Sequence, residues 1–166
     1  MDSTFPIEEE IRRFTATVDS LPSRLRDGAD GREALVERLI RAVEQRDTLE
    51  LQRLVLQRDE FIALYYPHTH FTAPPYELSP ALLWFQMQNL SSRGITRLMQ
   101  RDGGRSLGYV GHTCPAAPQE QERNRLWEGC VVRVQDSLGT TRVRRIFGTM
   151  LERDGTWKFL TFANEY

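Results

Sequence analysis

Apolar positions recur at helical spacing through the first part of the chain and at every second residue in the rest. Ile7, Ile11, Phe14 and Val18 form one stripe behind Pro6 and three Glu, a charge order that suits a helix N-terminus, with Thr4 as its N-cap. "PSRLRDGADG" then reads as a polar linker. "REALVERLIRAVEQRD" predicts a second helix buried through Leu35, Leu39, Ala42 and Val43. Asp47 is placed to cap a third, with Leu51, Leu54 and Val55 inside, and Asp59 to cap a fourth that ends at Pro67. Ser79-Pro80 opens the longest helix, which runs to Gly103-Gly104 with Leu83, Met87, Leu90 and Leu98 on its core side. Gly94 within it is expected to cost about 1 kcal/mol relative to Ala.

Beyond residue 105 the alternation predicts strands in "SLGYVGHTC", "LWEGCVVRVQD", "TTRVRRIFGTMLER" and "TWKFLTFANEY", with "PAAPQEQERNR" as a loop. Gly139 and Asp154-Gly155 are hairpin-turn signals. Helices followed by an antiparallel meander make an α+β fold, with N-terminal helices packed on a curved antiparallel sheet. The expected organisation is a single domain: an extra helix and linker over 1–31, a helical part over 32–104 and a meander over 105–166.

The layout, and above all the ending "RIFGTMLERDGTWKFLTFANEY", resembles the nuclear-transport-factor-2-like (cystatin-like α+β cone) superfamily, as does "ALVERLIRAVEQRDTLELQRLV" as an opening helix and short second helix. The match spans roughly residues 32 to 166, and the extra N-terminal helix and the helical content of 59–102 depart from it, as in a divergent bacterial branch. The resemblance implies a ligand site between the cone-shaped sheet and the helices. It also implies that the open sheet face can form a homodimer. It does not fix an activity, because the superfamily includes isomerases, dehydratases and binding modules.

Charge narrows the partners. The chain has 22 Lys and Arg against 23 Asp and Glu, so no nucleic-acid partner is expected. Of its basic residues only Lys158 is lysine. No apolar run is long enough for a membrane span, and the start lacks the basic lead and apolar core of a signal peptide.

Candidate chemistry centres on "LYYPHTHFTAPPYELSPALLWFQ", where Glu77 is the one fixed charge. His68-Thr69-His70 on an extended segment can chelate a metal, with His112 as a third ligand. Two His without Cys or carboxylates at ligand spacing make a poor closed site, so no metal or other cofactor is expected. An acid–base pair is the second option, built from His112, Tyr109 and Asp59 or Glu60. Here Asp59 as a helix cap, Tyr109 as an amphipathic core residue and His112 bonded to backbone is the competing reading. The third option is an apolar pocket. Tyr65, Tyr66, Phe71, Tyr76, Trp84 and Phe85 supply a wall with polar tips, and Tyr66, His70, Trp84, Tyr109 and His112 are the expected ligand-binding residues. In "TTRVRRIFGTMLER" either face brings an Arg, which suits an anion or, on an open face, a pairing with Glu128 or Glu152.

These residues support a small-ligand-binding or protein-interaction domain without catalysis, its ligand small and apolar. An isomerase- or lyase-type enzyme and a homodimerisation module are the alternatives. Cys114 ends one strand and Cys130 lies in the next, a placement that suits a cross-strand disulfide. A bridge implies an oxidising compartment, with export and a signal removed ahead of residue 1. Two reduced thiols imply the cytoplasm.

Overall fold

The computed structural model describes residues 5–164; the expected N-cap at Thr4 lies outside them. Helix α1 spans Ile7–Thr15, with Pro6 at its N-cap and Phe14 buried. The stretch that follows is more than a linker. Leu25 and Ala29 are buried, and Ala29 exchanges both backbone hydrogen bonds with Trp157, at 2.9 and 2.8 Å. Helix α2, Arg32–Glu44, buries Leu35, Val36, Leu39, Ile40, Ala42 and Val43, a wider stripe than the sequence suggests. In α3, Thr48–Leu54, the Asp47 carboxylate accepts the Glu50 N–H as expected.

The fourth helix differs from expectation. Gln57, not Asp59, is the N-cap of the short α4, Arg58–Glu60, because the Glu60 carboxylate reaches back to the Gln57 N–H. Asp59 instead holds Arg26 through both its oxygens. The chain continues as a π-helical turn, Phe61–Tyr65, and two 3-10 turns, Tyr66–His68 and His70–Thr72. His68 and His70 therefore occupy separate turns rather than one extended segment.

Helix α5 spans Pro80–Asp102, capped by Ser79, and stops at Gly103. Leu83, Met87 and Leu98 are buried as expected, but Leu90 is 37% exposed and Ser91 and Gly94 occupy the buried positions. The reason is a crossing: residues 162–164 run over this helix. Phe162 N–H donates to Ser91 Oγ at 3.0 Å and Asn164 Nδ2 to the Gly94 carbonyl at 2.9 Å. A Cβ at Gly94 would overlap the Phe162 carbonyl oxygen, so glycine is here a condition of close approach rather than a tolerated cost.

The described residues of the second half hold seven strands: β1 (Tyr109–Thr113), β2 (Gln119–Gln121), β3 (Asn124–Trp127), β4 (Val131–Gln135), β5 (Thr141–Arg144), β6 (Met150–Arg153) and β7 (Thr156–Phe159). They form two antiparallel sheets, β1-β4-β5 and β2-β3-β6-β7. Because β3 runs into β4 and β5 into β6, the chain makes four passes of one bent meander. The bend lies at residues 128–130 and 145–149. Trp127 pairs with Met150 and Val132 with Arg144, leaving four residues on one pass against five on the other, a bulge's mismatch. Gly129, at φ +70, sits within it.

Residues 115–125 are not a plain loop: β2 and the start of β3 pair there through a two-residue turn at Glu122-Arg123. The alternation expected along 140–153 breaks at the bend, where both Ile146 and Phe147 are buried. The pass that begins at Thr156 ends as strand at Phe159, since the chain then leaves the sheet for α5. Cys114 and Cys130 stand opposite one another, one residue beyond the Thr113–Val131 pair, with sulfurs 2.04 Å apart at disulfide distance.

Two apolar clusters hold helices and sheets together. The first gathers Leu35, Leu39, Val43, Val132, Ile146 and Phe159 between α2 and one face of the sheets. The second gathers Phe14, Phe61, Tyr65, Tyr66, Leu83 and Leu151 on the opposite face of β3 and β6. Adjacent strand residues confirm the separation: Trp127 borders the first cluster and Leu126 belongs to the second. Burial of each large apolar side chain contributes about 1.5–3 kcal/mol. Among the described residues no helix is long and apolar enough to cross a membrane.

Candidate functional site

The residues expected to share one pocket fall into separate groups. Tyr66 is buried in the second cluster, its hydroxyl donating to the Leu78 carbonyl at 2.6 Å. Trp84 packs on Phe61 beside it, ring centroids 5.0 Å apart. His70 is exposed and lies against Phe71 and Tyr76. Phe71 is half-buried against this cluster, while Tyr76 and Phe85 are largely exposed. The stretch from Leu64 to Gln86 thus mainly covers the second cluster. Tyr109 and His112 belong elsewhere, on β1 beside the N-terminus of α2 and the first cluster. The sheet separates them from Tyr66 and Trp84.

Tyr109 and His112 do form a polar cluster, with two partners the sequence reading missed, Glu33 and Arg32. The Tyr109 hydroxyl donates to Glu33 Oε1 at 2.7 Å. Arg32 Nε donates to His112 Nε2 at 3.0 Å, which makes Nε2 the acceptor and leaves the ring proton on Nδ1. Nδ1 lies 2.7 Å from Glu33 Oε2. Burial pushes the His112 pKa down, reinforced by Arg32 and opposed by Glu33. Partial burial raises that of Glu33, but hydrogen bonds from Tyr109 and His112 and the latter's charge hold it below the usual carboxylate value. Burial and the bond to Glu33 push the Tyr109 phenol far above its ordinary value. The Arg32 guanidinium is itself stacked on Trp127, 4.5 Å from the ring centroid. Both nitrogens of His112 are engaged, while the Glu33 carboxylate that holds Nδ1 is more than half exposed.

The second candidate carboxylate, Glu60, is fully buried and bound to Lys158 Nζ at 2.7 Å. It also accepts the backbone N–H groups of Gln57 and Arg26, at 2.9 and 2.7 Å. Burial pushes the lysine pKa down and Glu60 pulls it back. The chain's one lysine is therefore a structural counter-charge. Arg144 pairs through two bonds with Asp102 at the end of α5. Among the described residues no three of His, Cys, Asp and Glu cluster to hold a metal ion.

A cleft of about 640 Å³ opens between α3 and α5. Its floor is Leu51, Val55, Ile95, Met99 and Phe162. Neutral side chains line its sides, Thr48 and Gln52 on α3 and Gln88, Ser92, Thr96 and Gln100 on α5. Among the described residues Arg46 is the one charge lining it. The crossing of 162–164 supplies Phe162 and so completes the floor. A local signal existed: Gln88, Ser92, Thr96 and Gln100 recur every fourth residue, a neutral row on an otherwise charged helix end. The missing part was Phe162, which joins the site only through tertiary structure.

No protein-family model, curated protein or solved structure matches this chain.

Proposed function

We propose that the chain is a non-catalytic small-ligand-binding module, one α+β unit built on a divergent nuclear-transport-factor-2-like frame, with its ligand held between α3 and α5. The observation that carries this reading is the cleft itself. It joins a volume suited to a small molecule with an apolar floor and a few polar groups at its sides. The closed state of the Glu33–His112–Arg32 cluster weighs against the isomerase or lyase alternative, since both imidazole nitrogens already have partners. The likeness to the superfamily draws support from the four-pass meander with helices packed against it.

The test uses Nile red, a neutral dye that brightens in apolar sites. The wild-type protein is expected to bind it saturably at one site. Thr96→Trp places a large side chain on an exposed position of α5 that borders the cleft and should abolish binding without loss of helicity by circular dichroism. Dye binding that Thr96→Trp leaves untouched would reject the cleft as the seat.

A further inference from the structure

Resting on the α3–α5 cleft as a ligand seat, we infer that its ligand is a single-chain carboxylic acid of the fatty-acid type. The chain lies along α5 and its carboxylate meets the Arg46 guanidinium. Three observations converge on that class.

The first is charge. Among the described residues no Asp or Glu lines the cleft, so an anion entering it meets neutral side chains and one cation. The Arg46 side chain makes no ion pair or hydrogen bond to another described residue, while Arg26, Arg38 and Arg144 are paired with carboxylates. Its forked guanidinium suits a carboxylate's two oxygens.

The second is placement. Arg46 follows the end of α2 at φ +52 and lies over the Gly103-Gly104 stop of α5. A Cβ on Gly103 would stand 3.2 Å from Arg46 Cζ and one on Gly104 2.9 Å from Nε. The two glycines therefore leave room for the side chain at one end of the cleft, beside Met99. A ligand with its polar group at one end fits this better than one with polar groups throughout.

The third is shape. The floor is a strip of aliphatic, thioether and aromatic groups, and the one buried hydroxyl beside it, that of Ser91, already accepts the Phe162 N–H, which suits an acyl chain better than a polyhydroxylated ligand. From Gln88 to Gln100 the α5 wall is about 18 Å long at 1.5 Å per residue. That length accommodates an extended medium-length acyl chain.

The experiment measures displacement of Nile red by octanoate, decanoate and dodecanoate below their micelle thresholds, with decanol and decyltrimethylammonium as the neutral and cationic counterparts. Decanoate should compete about tenfold better than decanol, and each added pair of methylenes should tighten binding about tenfold until the chain outgrows the cleft. Arg46→Gln should bring decanoate down to decanol's level and leave decanol unchanged. The Arg46 side chain is exposed and has no partner among the described residues, so this variant should melt like wild type. Equal competition by decanoate and decanol, with dye still excluded by Thr96→Trp, overturns the carboxylate and leaves the seat standing. Dye binding indifferent to Thr96→Trp overturns both. A wild-type dimer in sedimentation that Thr96→Trp converts to monomer also overturns the inference, because the cleft's occupant is then a second copy of the chain.

Discussion

Lys158→Met removes the sole counter-charge from a carboxylate with no exposed surface. The exchange nearly conserves volume, so the cavity contribution is small and the electrostatic one dominates. Glu60 keeps its two backbone donors, from Gln57 and Arg26, but loses the ammonium at 2.7 Å. Breaking one side of a buried pair costs about 3–5 kcal/mol, against a total of about 5–15 kcal/mol for a typical domain. With a urea slope of about 1–3 kcal/mol/M, the midpoint should fall by one molar or more. The informative comparison is the double variant Lys158→Met/Glu60→Gln. It carries no buried charge, and its remaining penalty is the Arg26 N–H facing an amide NH2, about 1–3 kcal/mol. Urea unfolding at neutral pH should therefore find the double variant more stable than Lys158→Met alone. A double variant as unstable as the sum of the two single changes, or a Lys158→Met protein within 1 kcal/mol of wild type, would refute the account of a dry, charge-compensated site.

Three further outcomes are expected. Gly94→Ala, which helix propensity alone would make stabilising by about 1 kcal/mol, should instead destabilise by about 1–3 kcal/mol or more in thermal or urea unfolding, because the new Cβ meets the Phe162 backbone. His112 has its folded pKa below the ordinary 6.5, so the unfolded chain binds its proton first on acidification. Its contribution is complete above pH 6.5 and is lost as pH falls toward the folded value, a slope that His112→Gln should remove from urea midpoints measured between about pH 7.5 and about pH 5.5. Glu33 acts in the same direction below its ordinary 4.5 and should leave the acid end of the profile sloped in both proteins. Replacing Cys114 and Cys130 together by Ser should cost about 3 kcal/mol for a loop of this length, with thiol titration of the denatured, unreduced wild type finding no free thiol.

Elements whose cause is local could be read from the sequence. The caps at Asp47 and Ser79, the stripe of α2, the stop at Gly103 and the turn at Asp154-Gly155 each depend on a few neighbouring residues, and each lies where it was expected. Cys114 and Cys130 were legible for the same reason: register carries one strand past the next. What failed depends on distant partners. Asp59 looked like a cap but serves Arg26, thirty-three residues away. Gly94 looked like a defect because Phe162 is invisible from its neighbours. His112 and Tyr109 were picked out, but Glu33 and Arg32 lie some eighty residues earlier and nothing in their own helix marks them. The grouping with Tyr66 and Trp84 failed at the bend and the two-faced sheet, since composition identifies aromatic residues without saying which face they occupy. The cleft was missed because Phe162 joins its floor only through tertiary structure and its cation, Arg46, comes from a connection with no motif.

The strap of residues 156–164 has a consequence for how the molecule is made. It supplies the counter-charge of Glu60 across ninety-eight positions, the partner of Ser91 across seventy-one and the edge bonds of Ala29. These contacts are nearly all non-local, so they are slow to find and cannot form on a partly synthesised chain. Helices α2 to α5 leave the ribosome with a buried-type carboxylate still hydrated and a cleft without its Phe162 floor. Assembly of the cleft and completion of the fold are therefore one event, and binding of Nile red during refolding should rise with the final tertiary phase rather than with the earlier gain of helix.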